Sequence, residues 1–178
     1  MKVLIIGPPG CGKGTQSAKV SADYHLRHIS TGDMLRSIAK EGGELAERIK
    51  PYMGTGCLVP DDLIIEMMHS KLPGSYILDG YPRTMKQAKS MEEVNVAVFL
   101  SLDEEECVRR IVGRNQGRSD DNRETAAMRY KVYMKDTLPV VKHLKERKVL
   151  TEIAGNRGIE EVYGDIKKVL DGLGNKRR

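Results

Sequence analysis

The sequence predicts an α/β fold, a mostly parallel sheet covered by helices on both faces. Three observations predict it. Short apolar, partly β-branched runs recur along the chain and alternate with helical patterns. The first of these runs leads directly into a glycine-rich loop and then a helix. The balance of 39% hydrophobic and 31% charged residues in 178 fits one folded core with small inserts.

The strands are expected at residues 3–6, 76–78, 96–100 and 149–153, where apolar runs have the length and composition of buried parallel strands. A weaker fifth strand is placed at 26–29. Helices are expected at 33–40 and 44–52, separated by Gly42-Gly43, and at 61–70, with Pro60 near the start. The longest helix is expected at 123–147. Ala127, Tyr130, Met134, Leu138, Val141 and Leu144 follow the spacing of one buried stripe, and Pro139 is expected to kink it. Residues 31–71 hold several helical patterns and no strand, so they read as a helical insert carried on the sheet.

Composition excludes several classes. No apolar run approaches membrane-spanning length, and the opening MKVLIIGPPG lacks the architecture of a cleaved signal. Cys11, Cys57 and Cys107 are odd in number and widely spaced, which makes neither a disulfide framework nor a zinc cluster; a reducing, cytoplasmic compartment is expected. One Phe, seven Tyr and no Trp argue against a stacking platform for single-stranded nucleic acid. The formal net charge of +5 points to polyanionic partners without naming them.

The chemistry is concentrated in Gly7-Pro8-Pro9-Gly10-Cys11-Gly12-Lys13-Gly14-Thr15. Glycines let the backbone curl so that successive N–H groups point at phosphate oxygens, and the following helix aims its positive end at the same anion. Lys13 can reach the β- and γ-phosphates. Here Gly14 stands where the general P-loop pattern has Ser or Thr, and Thr15 follows. A second signal is Tyr76-Ile77-Leu78-Asp79-Gly80, an apolar strand ending in a carboxylate, as in a Walker-B element near Mg²⁺. A turn-starting Asp is the plainer alternative. Arg36, Arg83, Arg114, Arg118 and Arg129 lie beside special local features, and arginine's planar fork suits phosphate; a solvated surface is the usual fate of any one of them.

Four motifs in order resemble the adenylate kinase family of nucleoside monophosphate kinases. They are GPPGCGKGTQ from Gly7, STGDMLR from Ser30, LDGYPRTMKQ from Leu78, and RIVGR from Arg110 followed by Gly117-Arg118-Ser119-Asp120-Asp121. The Gly14-Thr15 form of the loop is the one this family uses. The resemblance spans nearly the whole chain. It implies a P-loop NTPase fold with a five-stranded parallel sheet (residues 1–30, 72–113 and 122–178), an AMP-binding insert at 31–71 and a short lid loop at 114–121. It implies the reaction of Mg·ATP with AMP to give two ADP.

The resemblance also implies roles. Gly10, Cys11, Gly12, Lys13, Gly14 and Thr15 would hold ATP phosphates; Arg110 would lie along the adenine of ATP, with the backbone near Arg157 at its edge. Arg36 and Arg83 would clamp the AMP phosphate. Thr31 and Gln87 would face the AMP base, with Cys57, Val59 and Gly80 lining that subsite. Arg114, Arg118 and Arg129 would surround the transferring group. Asp79, with Asp33, would order Mg²⁺ waters. No cysteine follows Cys107, so a zinc-binding lid is not expected. The implied partners are ATP, AMP and ADP, with no nucleic acid and no membrane.

Two rivals remain at this point. UMP/CMP kinases of the same fold tend to carry Ala at the position of Thr31 and Asn at that of Gln87, so Thr31 with Gln87 favours AMP. A P-loop switch or nucleic-acid binder would share the loop and the basic charge, but its cations would not fall among nucleotide motifs. The dense basic run Asn175-Lys176-Arg177-Arg178 reads as a solvated end.

Overall fold

The computed structural model describes residues 1–69, 72, 74–114 and 122–175. Five strands form one parallel sheet: β1 (Lys2–Ile6), β2 (Arg27–Ser30), β3 (Tyr76–Asp79), β4 (Val96–Ser101) and β5 (Leu150–Ala154), in the order β2-β3-β1-β4-β5. Parallel strands need covered faces, because their crossovers lay helices on both sides. Val3, Leu4 and Ile5 of β1 and Tyr76, Ile77 and Leu78 of β3 are accordingly buried. The edge strands β2 and β5 expose charged residues, Arg27 and Glu152.

Strand side chains alternate between two cores. Val3, Ile5, Ile77 and Val98 pack with Val20 of α1 (Lys13–Tyr24) and with Val162 and Ile166 of α9 (Ile159–Asn175). On the other face, Leu4, Ile6 and Leu78 pack with Ile64 and Met68 of α4 (Asp61–His69) and Val140, Val141 and Leu144 of α8 (Leu138–Glu146). Between β2 and β3 lie α2 (Thr31–Glu41), α3 (Glu44–Ile49), a 3₁₀ turn (Lys50–Tyr52) and α4, with no strand among the described residues. The remaining helices are α5 (Met85–Ser90), α6 (Glu104–Val112) and α7 (Arg123–Val132). No helix among the described residues is long and apolar enough to cross a membrane.

The expected long helix at 123–147 is corrected in one respect. A π-turn at Tyr133–Thr137 separates α7 from α8. Pro139 has no N–H to give and its ring crowds the preceding turn, so a wider turn before it relieves the conflict. The extra residue shifts the phase of the buried stripe. Val141 and Leu144 face the core as expected, but Met134 is 45% exposed, and Ala126, Tyr133 and Thr137 are buried in the N-terminal half.

Candidate active site

Ligands in open α/β sheets bind at the carboxyl ends of the strands. Here the loop 7–12 leaves β1 at that end and enters α1. Four helices start with a side-chain cap: Ser30 accepts from the Asp33 amide, Thr84 from Gln87, Asp103 from Glu106 and Asn122 from Thr125. Helix α1 starts instead at Gly12, which has φ 94° and supplies no side-chain acceptor. The first turn of α1 therefore has no side-chain acceptor of its own, and uncapped amides at a helix start suit an anion. Gly10 is required by space: a Cβ there would lie 2.9 Å from the Cys107 carbonyl oxygen. Lys13 Nζ stands at the loop mouth, donating to the Gly7 and Pro8 carbonyls at 2.9 and 2.8 Å.

Asp79 ends β3, in register with Ile5 of β1 and Ser30 of β2. Its Oδ2 lies 3.4 Å from where a Cβ on Gly14 would sit. The carboxylate thus borders the first turn of α1 at Gly14, the residue that precedes Thr15 in the chain. Asp79 and Thr15 offer hard oxygen donors, which suit Mg²⁺ held by one carboxylate, water and phosphate oxygens. Asp33 accepts an ion-pair hydrogen bond from Arg36 one turn along α2. Among the described residues, no three His, Cys, Asp or Glu side chains form a metal cluster.

One cavity of about 1660 Å³ runs from the loop across the strand ends. Its volume exceeds the roughly 300–1,000 Å³ of an ordinary small-molecule site. Gly10, Cys11, Gly12, Lys13, Gly14, Thr15, Asp79, Arg110, Arg114 and Arg157 line it on the P-loop side. Thr31, Asp33, Arg36, Cys57, Val59, Gly80, Arg83, Gln87 and Arg129 also line it. The structure thus gathers every site residue expected from the sequence except Arg118, which lies outside the described residues with the rest of 115–121.

Individual side chains are held by neighbours. Arg83 Nε donates to the Gly80 carbonyl at 2.8 Å, its backbone N–H donates to Gln87 Oε1 at 2.7 Å, and its carbonyl accepts from Thr137 Oγ1 at 2.9 Å. Arg110 Nη1 donates to the Gly155 carbonyl at 2.9 Å and its Nε to Glu106 at 2.6 Å. The Arg157 guanidinium binds Asp165 at 2.6 Å. Hydrogen bonds from Arg109 and then Arg110 hold the Glu106 carboxyl down at about 2. Burial pushes the Cys11 thiol up, and the Cys107 thiol up to about 12, which disfavours the nucleophilic thiolate at both. Thr31 is 3% exposed, and its hydroxyl is among the buried polar atoms with no hydrogen-bond partner. Such a group on a cavity wall is a natural ligand contact.

Sequence reasoning missed two residues of this network, Asp61 and Thr137. Asp61 Oδ1 accepts from Thr84 Oγ1 at 2.9 Å and from Gln87 Nε2 at 2.8 Å. Thr84-Met85-Lys86-Gln87 has the spacing of a capping box, and that pattern could have flagged Gln87 as structurally engaged. The Gln87 side chain reaches one residue beyond the cap, to Arg83 N–H instead of Thr84 N–H.

Taken together, the loop, the carboxylate and a cavity lined by Lys13 and several arginines define a P-loop phosphotransferase with room for two nucleotides. Comparison with known proteins is more specific. A family model described as adenylate kinase matches residues 5–149. An adenylate kinase of Encephalitozoon cuniculi is 38% identical over 96% of this chain and 98% of its own length. One of Thermus thermophilus is 40% identical over 94% of this chain and 96% of its own. UMP-CMP kinase 1 of Oryza sativa is 37% identical over 98% of this chain and 76% of its own. The chain belongs to the adenylate kinase family.

Proposed function

We propose that this chain transfers the γ-phosphoryl group of ATP to AMP, giving two ADP, reversibly. The observation that carries this reading is one large cavity among the described residues, lined by the P-loop and Lys13 together with Arg36, Arg83, Thr31 and Gln87. Phosphoryl transfer demands little covalent chemistry from a protein. It demands two anions held in line and their repulsion neutralised. The two nucleotides carry about six negative charges between them. Lys13, Arg36, Arg83, Arg114, Arg118 and Arg129 supply six positive ones.

In the proposed step, an ionised oxygen of the AMP phosphate attacks the γ-phosphorus. The bond from the γ-phosphorus to the bridging oxygen breaks, and that oxygen keeps the electron pair as ADP leaves. The attacking oxygen is already deprotonated, so no general base is needed. Lys13 and the loop amides hold the β- and γ-phosphates. Arg36 and Arg83 orient the acceptor phosphate, and Arg114, Arg118 and Arg129 offset charge on the transferring group. Asp79, with Thr15 beside the same turn, would hold Mg²⁺ directly or through water, with Asp33 a second water-mediated contact. Mg²⁺, when bound, neutralises phosphate charge. We assign residues 31–71 as the acceptor-binding insert and 114–121 as a lid loop; their closure would exclude water, which otherwise competes as acceptor.

The acceptor base is read from Thr31 and Gln87. A Gln amide offers a donor and an acceptor to adenine's edge, and the Thr31 hydroxyl adds a further hydrogen-bonding group. The kinship with UMP-CMP kinase 1 makes a pyrimidine nucleotide the alternative acceptor. The test is initial-rate phosphorylation of AMP, CMP, UMP and GMP by Mg·ATP. AMP is expected to be fastest; a faster pyrimidine overturns the assignment of the base. A cytoplasmic place fits the expectation of free thiols.

A further inference from the structure

The amide of Gln87 is held by two neighbours of opposite character. Arg83 N–H can only donate, and it meets Oε1 at 2.7 Å. The Asp61 carboxylate, when ionised, can only accept, and it meets Nε2 at 2.8 Å. Rotating the amide by half a turn would set N–H against N–H and oxygen against carboxylate. Both neighbours therefore enforce one polarity. Asp61 is itself fixed, because Thr84 Oγ1 donates to the same oxygen at 2.9 Å while capping α5.

Each amide atom has two hydrogen-bonding sites. The two contacts use one site on Oε1 and one on Nε2. One acceptor and one donor remain, on a side chain that is 2% exposed and lines the cavity. Their polarity has a chemical consequence. Adenine and cytosine present an exocyclic amino donor beside a ring-nitrogen acceptor. Guanine and uracil present a carbonyl acceptor beside a ring N–H donor. An amide free to turn could serve either pair; one locked in place serves one pair only.

We infer that Asp61 is a specificity-determining positioning residue, which locks the Gln87 amide in the polarity that accepts amino bases and rejects oxo bases. It touches no substrate and acts through Gln87. The inference rests on the proposed reading that Gln87 faces the acceptor base. Size separates adenine from cytosine; Asp61 separates adenine from guanine. The neighbouring Asp62 pairs with Lys86 at 2.7 Å across the same α4–α5 junction, but it does not touch Gln87.

The experiment measures kcat/KM for AMP, GMP and CMP, and KM for ATP, in the full chain and in Asp61→Ala, Asp61→Asn and Asp62→Asn. Asp61→Ala is expected to lower the AMP-to-GMP ratio about tenfold, the effect of losing one hydrogen bond to a charged group. The AMP-to-CMP ratio and KM for ATP should stay within about twofold. Asn keeps the shape of Asp but can also donate, so Asp61→Asn should lose severalfold and decides the matter alone if the alanine variant does not fold. Asp62→Asn should leave the ratio unchanged. An unchanged AMP-to-GMP ratio in the Asp61 variants overturns the inference. So does an equal loss toward all three acceptors, or the same loss in Asp62→Asn, since each would mark simple helix docking. If the unmodified chain fails to use AMP at all, the proposed function falls first and takes this inference with it.

Discussion

Thr137 Oγ1 donates to the Arg83 carbonyl oxygen at 2.9 Å, across 54 residues of chain. Thr137 lies in the π-turn and is 6% exposed. The irregular turn therefore reaches the segment that carries the proposed acceptor-phosphate clamp. Thr137→Val keeps the shape and removes the donor. It should destabilise the fold by about 1 kcal/mol and raise KM for AMP severalfold, with KM for ATP unchanged. Arg83→Ala should do far more, lowering kcat/KM for AMP by about 100-fold or more. Steady-state kinetics with each substrate varied in turn checks both; normal AMP kinetics in Arg83→Ala would remove that residue from the site.

Lys13→Met should lower kcat by about 100-fold or more with little change in melting temperature. The ammonium donates to the Gly7 and Pro8 carbonyls of its own loop and to the Cys11 sulfur, contacts that all stay within residues 7–13. Thermal melting and turnover measured on the same sample separate the two effects. A variant that unfolds would assign Lys13 a structural role.

Alkylation should distinguish the three cysteines. Cys57 is exposed and lines the cavity, whereas Cys11 and Cys107 are buried with thiols pushed up. Iodoacetamide at about pH 7.5, below the ordinary thiol range, should label Cys57 first, and AMP should slow that labelling more than ATP does. Peptide mass mapping reads the outcome; unprotected labelling would place Cys57 away from the acceptor.

Glu106 gives a pH signature. Its carboxyl sits at about 2 in the folded chain against an ordinary value of 4.5, because Arg109 and Arg110 hydrogen-bond the charged form. A lowered carboxyl stabilises the fold fully above the unfolded value and loses that contribution as pH falls toward the folded one. The melting-temperature gap between the parent and Glu106→Gln should therefore be constant above about pH 5 and close between about 4.5 and 2. A gap independent of pH would contradict the assignment.

Much of this was legible in the sequence, for physical reasons. The central strands are buried and therefore mostly apolar, and all five strands lie within one residue of their expected bounds. The P-loop was legible because its geometry demands glycines at fixed spacing. The π-turn was not, since an i→i+5 turn leaves no compositional mark; Pro139 signalled a break but not that Met134 would turn outward. Asp61 carried no local signal at all. Its partner Gln87 stands 26 residues away, and only the docking of α4 against α5 brings the two together. The cavity wall was readable residue by residue, while the hydrogen bonds that fix its polarity arise from tertiary packing.

In the proposed reaction, one cavity passes a phosphoryl group between two nucleotides and excludes water. Simultaneous measurement of ATP, ADP, AMP and free phosphate tests it most directly. With Mg·ATP and AMP, two ADP should form for each ATP consumed with negligible phosphate, and ATP should be consumed very slowly when AMP is left out. ADP and phosphate released in equal amounts, at a rate indifferent to AMP, would contradict it.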